Sequence, residues 1–411
     1  MSDFSFSRIP AIIFGRGKTM HLPAKALTYG KRILLITGTS YLQNSGILNL
    51  VLSSLNQHGI ETSHRAINGE PSPETIDQIA GEFSPESAKA VIAIGGGSVI
   101  DAGKAISAMI GKKHRVKDYL EGVGHLQHDG TRVPFIALPT TAGTGSEATK
   151  NAVLSSCNSE TGFKKSLRHE GLVPDLAIID PVLNLACPPR VASACGLDAF
   201  TQLFEGYLSP LASPLSDSLA VDGMLRSAEN IIAACSAAVS ESRICEFLLQ
   251  PELAEQEFAS LLKAKEAMCY ASLLSGMVLA NAGLGIVHGF ASVIGGLFRI
   301  PHGVICGILL APATRKNIAT ALQSQQGRGT LEKVNRLAGL MNGEECSHAT
   351  TGAEKLCEIL ENWTRQLKPG RLGDYGISAT HLELIASKSN AKTNPFQLRL
   401  EDKIDVLQNA L

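Results

Sequence analysis

The chain has 411 residues, 44% hydrophobic and 18% charged, which excludes a disordered polymer and leaves room for two ordinary domains with a sizeable core. Its 37 basic and 38 acidic residues give a formal charge of −1 without any dense Lys/Arg block, so nucleic acid is not an expected partner. Nine cysteines without a Cys-x-x-Cys pair argue against a disulfide framework or a zinc ribbon and for reduced thiols in a cytoplasmic setting.

The opening "MSDFSFSRIP" lacks the basic end and apolar stretch of a secretory signal. No apolar run reaches the roughly 20 residues that span a bilayer, so a membrane is not expected either. Up to about residue 185, short β-branched runs alternate with helical segments: "RILLITG", "AVIAIGGG", "VPFIALPTT" and "DLAIIDP". That rhythm predicts βαβ units and a parallel sheet covered on both faces.

Within this half, "AVIAIGGGSVIDAGKAISAMI" reads as a buried strand, a tight turn and a helix. Gly95, Gly96 and Gly97 allow a sharp turn and close approach to a ligand, and Ser98 is placed to cap the helix. Helix starts present free N–H groups and the positive dipole end, which suits a pyrophosphate. An ordinary strand-to-helix turn accounts for these glycines equally well, and the stretch is not the G-x-G-x-x-G fingerprint. A second loop, "ALPTTAGTGSEAT", adds Thr140, Thr141, Thr144 and Ser146 after another apolar strand, where ligands of open α/β sheets collect. Two such loops in succession favour a nucleotide site.

Past "CPPR" at 187–190 the periodicity becomes helical, notably over 191–207, 213–239, 254–282 and 285–297. The expected division is a dinucleotide-binding α/β domain over 1–187 and a helical domain for metal and substrate over 188–411. In "GLDAFTQLFEGY" Asp198 and Gln202 stand four residues apart and project from one helix face. An aspartate inside an apolar helix is costly to bury without a cation or donor. His288 and His302 are available partners, and a divalent ion held by Asp198, Gln202, His288 and His302 is one economical answer. Either histidine taken alone reads more readily as a hydrogen-bonded core residue than as a ligand.

The segments "IIFGRGK", "GGGSVIDAGKAI", "LPTTAGTGSEAT", "AIIDPVL", "GLDAFTQLFEGY", "NAGLGIVHGFASVIGGLFRIPHGV" and "NPFQLRLEDKIDVL" resemble, in order, those of the iron-containing (group III) alcohol dehydrogenases, over nearly the whole chain. The resemblance implies the dehydroquinate synthase-like architecture: an N-terminal α/β domain with a parallel sheet, an all-helical C-terminal domain, and a cleft where nicotinamide meets an alcohol or aldehyde on a divalent metal, iron or zinc. It implies NAD or NADP as cofactor, with Gly96, Gly97 and Ser98 at the pyrophosphate, Thr140, Thr141 and Thr144 on the nicotinamide side, and Lys164 as a further contact. Gly38, Ser72, Asp101 and Ser146 complete the candidate cofactor set, while Asp198, His288 and His302 are the candidate catalytic and metal residues. Homo-oligomerisation is expected from the family.

Three departures qualify these expectations. The family binds its cation with one Asp and three His, and the place four residues after the Asp is Gln202, whose neutral amide is the weaker donor. A histidine associated with proton relay is replaced by Ser292, which leaves water, Ser292 with a neighbour, or the cofactor ribose for that task. After "RILLIT", where NAD-using members place an acid, stands Gly38, which relieves repulsion of a 2′-phosphate and admits NADP. The expected activity is hydride transfer between NAD(P) and a small alcohol or its aldehyde or ketone. The alternatives are a metal-independent reductase of an acidic carbonyl, similar to maleylacetate reductases, and a nucleotide-binding protein with a decayed site.

Overall fold

A computed structural model of the protein describes residues 3–157, 162–343 and 349–411. Its strands are β1 (Ala11–Phe14), β2 (Arg32–Gly38), β3 (Glu61–Ile67), β4 (Ala90–Gly95), β5 (Phe135–Pro139), β6 (Asn151–Ser156), β7 (Phe163–Arg168) and β8 (Leu176–Ile179). Six of them form one sheet in the order β1-β8-β5-β4-β2-β3, with every pairing parallel, while β6 and β7 make a separate antiparallel pair.

The apolar runs of the sequence arise because both faces of this sheet are covered. Successive side chains alternate between faces. Thus Ile33, Leu35, Ile92, Ile94, Ile136 and Leu138 enter one core cluster. Leu34, Ile36, Val91, Ala93, Phe135 and Ala137 enter the other.

The helices that shape the site are α1 (Gly97–Met109), α2 (Pro189–Leu208), α3 (Pro214–Ala234), α4 (Pro251–Ala282), α5 (Ile286–Leu297) and α6 (His302–Gln323). Proline opens α2, α3 and α4, where its missing N–H costs nothing and its fixed φ suits the first turn. The helix expected over 213–239 stops at Ala234, and the remaining spans agree closely with the periodicity. In the helical half, Phe200 is fully buried beside Phe204 and meets Trp363 edge-on at 4.8 Å, so α2 is locked against the C-terminal helices. Burying one such ring stabilises by about 1.5–3 kcal/mol.

The last strand of the sheet ends at Ile179 and α2 begins at Pro189. Packing does not respect that chain boundary, because Ile244, Phe247, Leu248 and Leu262 join Leu22, Leu55 and Ile92 in one core under the sheet. Among the described residues no single helix is long and apolar enough to cross a membrane. The apolar stretch after residue 270 is α4 followed by α5, bent by 99° at the break between them.

Candidate active site

Strand order reverses between β2 and β4: the chain leaves β2 toward β3 on one side and leaves β4 toward β5 and β8 on the other. Ligands of open α/β sheets sit outside the carboxyl ends of the strands at such a switch point. Gly38 ends β2 and Gly95 ends β4, and the two strands pair in register up to Thr37 and Ile94. The crevice for a dinucleotide is therefore set by topology.

Gly96 is the N-cap of α1 and carries no side-chain cap, which corrects the capping role expected of Ser98; Ser98 lies inside the first turn. The free N–H groups of that turn remain available to an anion. A Cβ on Gly97 would lie 2.5 Å from Thr144 Cγ2 and 2.7 Å from Thr144 Oγ1, so the loops after β4 and β5 touch only because position 97 lacks a side chain. The Thr140 amide donates to the Gly95 carbonyl at 2.9 Å, a second tie between these loops. Gly145, at φ +58°, meets the backbone of Gly276 on α4, so the β5 loop is also clamped to the helical half.

Of the loop hydroxyls, Thr141 and Thr144 stay partly exposed, whereas Thr140 and Ser146 are buried. The Ser146 hydroxyl donates to Asp101, which also accepts from the Val153 amide at 3.1 Å. Lys104, fully buried, donates to the carbonyls of Ser146 (2.7 Å), Thr149 (3.0 Å) and Asn151 (2.8 Å). Ser146 and Asp101 thus form an internal brace behind the loop, their polar atoms bonded to each other and to the backbone. Ser72 likewise caps the helix Pro73–Gly81 through the Thr75 amide at 3.2 Å. Lys164 on β7 pairs with Glu70 at 2.5 Å, and the Ser292 hydroxyl donates to the Lys164 carbonyl at 3.2 Å.

On the helical side the structure brings Asp198, His288 and His302 together with Cys306, their ligating atoms all within 4.8 Å of one another. Asp198 comes from the middle of α2, His288 from the first turn of α5, and His302 and Cys306 from one face of the first turns of α6. Asp198 Oδ1 is 3.2 Å from His288 Nε2 and 3.8 Å from His302 Nε2. Glu205 supports this group: its carboxylate lies 2.7 Å from His288 Nδ1 and accepts from the amides of Gly285 (2.9 Å) and Val287 (2.7 Å), the otherwise unpaired donors that open α5.

Gln202 is within hydrogen-bonding reach of Asp198, and its side-chain oxygen is 3.0 Å from the Ser275 hydroxyl. That hydroxyl also reaches the Ser272 carbonyl at 2.8 Å, and its single proton serves one of them.

Burial alone would raise the Asp198 carboxyl, but His302, His288 and Gln202 outweigh it and hold it below the usual range. Burial opposes charging of His288, yet Cys306, Asp198 and Glu205 together raise it well above an ordinary imidazole. Burial also lowers His302 to about 4 against the pull of Asp198, and pushes the Cys306 thiol up to about 12. Without a cation, the two buried carboxylates favour the charged form of His288, while burial favours the neutral form of His302.

This donor set fits a divalent cation. A carboxylate, two imidazoles and a thiol converge, all of them side chains that serve as ligands to divalent transition metals. The crevice at the strand ends and a metal-type cluster on the helices facing it define a nucleotide-dependent oxidoreductase built on a parallel sheet and a helical bundle.

Comparison with known proteins agrees with this class. The family model for iron-containing alcohol dehydrogenase matches residues 10–181, and that for the C-terminal part of the Fe-containing alcohol dehydrogenase family matches residues 252–411. The NAD-dependent methanol dehydrogenase of Bacillus methanolicus is 27% identical, covering 98% of both chains. The NADPH-dependent butanol dehydrogenase of Clostridium saccharobutylicum is 30% identical over 95% of this chain and 94% of its own. The crystal structure of a 1,3-propanediol oxidoreductase superposes with a TM-score of 0.84 at 27% identity, over the whole of both chains. The chain belongs to the iron-containing alcohol dehydrogenase family.

Three residues escaped the sequence reading. Glu205 lies seven residues after Asp198 and Cys306 four after His302, so helical spacing alone would have placed each on the ligand-bearing face. Glu70 had no such signal, because only the fold brings it to Lys164.

Proposed function

We infer that this chain interconverts a small alcohol and its aldehyde or ketone with NAD or NADP, assisted by a divalent metal, iron or zinc, between the sheet and the helical half. The observation that carries the reading is the convergence of Asp198, His288 and His302 from three helices onto one point. When bound, the cation supplies Lewis acidity toward the substrate oxygen and the nicotinamide supplies or takes the hydride. Asp198, His288 and His302 would hold the cation. Glu205 fixes the tautomer and orientation of His288. The first turn of α1, with Gly96, Gly97 and Ser98, would receive the pyrophosphate, and Thr141 and Thr144 would face the nicotinamide side. Lys164 and Glu70 would close one edge of the crevice as a neutral pair.

We read Gln202 as standing where members of the family carry a third histidine. The α/β unit over 1–187 and the helical unit over 188–411 would each supply one wall of the cleft. The same reading makes the protein a cytoplasmic enzyme and a homo-oligomer, without nucleic acid or membrane as partner.

The test is oxidation of NADH and NADPH with a panel of small aldehydes, before and after exhaustive chelation. Turnover that disappears with the metal and returns with zinc or iron is expected. Equal rates after chelation would favour the metal-independent reduction of an acidic carbonyl.

A further inference from the structure

Four donors complete a tetrahedral metal site, and the residue in place of the family's third histidine is a neutral amide whose oxygen lies 3.0 Å from the Ser275 hydroxyl. Cys306 stands within the same cluster. Its Sγ is 3.8 Å from His288 Nε2 and 3.8 Å from His302 Nε2. Metal–nitrogen, metal–oxygen and metal–sulfur bonds of about 2.0–2.3 Å at tetrahedral angles put neighbouring donors about 3.3–3.6 Å apart. The edges seen here, 3.2 Å and 3.8 Å from Asp198 and 3.8 Å from Cys306, fall around that value and need only small shifts. Cys306 is fully buried and sits one turn beyond His302 on the same face of α6, so its thiol already lies among the other donors.

We propose that Cys306 replaces the missing imidazole, so that this chain binds its cation with Asp198, His288, His302 and the Cys306 thiolate, and Gln202 holds the Asp198 carboxylate rather than the metal. The proposal rests on the reading that the cluster holds the catalytic cation. On binding, the thiol proton leaves to solvent and a metal–sulfur bond forms, with no change of oxidation state. A thiolate adds a negative charge that an imidazole lacks, and it is a softer donor. The site therefore favours zinc over magnesium or manganese, and its two anionic ligands cancel the charge of the ion. A cation held there would supply Lewis acidity toward the substrate oxygen.

The test loads the full-length, metal-stripped protein with Co2+ and records bound metal per chain alongside the near-ultraviolet absorption of sulfur-to-cobalt charge transfer. The wild type is expected to bind one Co2+ at the cluster with the charge-transfer band. Cys306→Ser should lose the band and weaken binding about tenfold or more, whereas Gln202→Ala should keep it. Should Cys306→Ser fold poorly, Cys306→Ala and the double variant Cys306→Ser/Gln202→His provide the same comparison, the latter binding metal without the band. One Co2+ bound without the band, or a band that survives removal of Cys306 but vanishes in Asp198→Ala, overturns the thiolate while leaving the metal reading intact. No Co2+ bound by the wild type overturns both.

Discussion

His288 is gripped from both sides, its Nε2 lying 3.2 Å from Asp198 Oδ1 and its Nδ1 lying 2.7 Å from Glu205 Oε2. Both carboxylates come from α2, seven residues apart on one face, so a single helix presents the metal ligand and the group that orients its neighbour. Glu205 also satisfies the buried, otherwise unpaired amides that open α5. It therefore links the stability of the helix start to the geometry of the metal site.

Replacing Glu205 by Ala strands the buried amides of Gly285 and Val287 and frees His288 to rotate. Each unsatisfied buried donor costs about 1–3 kcal/mol, so a loss of about 3 kcal/mol in urea unfolding is expected, together with a 10–100-fold loss of metal affinity. Glu205→Gln keeps the volume and an acceptor, and should recover most of the stability but not the affinity. Equal loss of both properties in the two variants would contradict the dual role.

Gly97→Ala should separate the two nucleotide loops, since the new methyl would overlap Thr144. Binding of NADH and NADPH, followed by nicotinamide fluorescence, is expected to weaken about tenfold, equivalent to 1.4 kcal/mol. Adding Thr144→Ser removes the overlapping Cγ2 and should restore part of the affinity. Unchanged binding in Gly97→Ala would show that the loops need not touch.

Gly38→Asp tests the cofactor reading at the switch point. A Cβ at position 38 meets only Val99 Cγ2 at 3.7 Å, an ordinary contact, so the carboxylate is sterically admissible. It should repel a 2′-phosphate and grip a ribose diol, moving the ratio of kcat/KM for NADPH over NADH down by about tenfold or more. A ratio that does not move would place the adenosine ribose elsewhere.

Two buried ionisable groups, Glu147 next to Ser146 in the chain and Lys104 beneath it, make stability depend on pH. Burial raises the Glu147 carboxyl from 4.5 to about 7, against the pull of its own amide and of Lys104. Its contribution is full below pH 4.5 and is lost as pH rises through about 7. Burial lowers Lys104 from 10.5 to about 8 despite Asp101 and Glu147, so its contribution is full above pH 10.5 and is lost as pH falls through about 8. Glu147→Gln should remove the first of these slopes. Urea midpoints at pH 5 and pH 8 are then expected to differ less in the variant than in the wild type, and parallel pH dependence would contradict the assignment.

Much of the fold was legible because its chemistry is local. "RILLITG", "AVIAIGGG" and "DLAIIDP" are strands whose alternate residues serve two buried faces, so their apolar runs survive in the sequence. The edge strand β3, "ETSHRAI", was not foreseen, since one flank faces solvent and polar residues interrupt the run. Asp198, His288 and His302 announced themselves as polar groups in apolar helices. The loop hydroxyls are instructive: Ser146 and Ser72 share the composition of a binding loop, but only the fold shows that one bonds an internal aspartate and the other a helix start. Cys306 stayed hidden because a buried cysteine reads as an ordinary small apolar residue until two imidazoles are found beside it.

The most direct measurement is metal stoichiometry and NAD(P)H binding of wild type and Asp198→Ala, purified without chelator and assayed with the same aldehydes. The wild type is expected to hold one zinc or iron per chain and to turn over. The variant is expected to lose metal and turnover while binding nucleotide as before. A variant that keeps full activity, or one that retains its metal, would contradict the account.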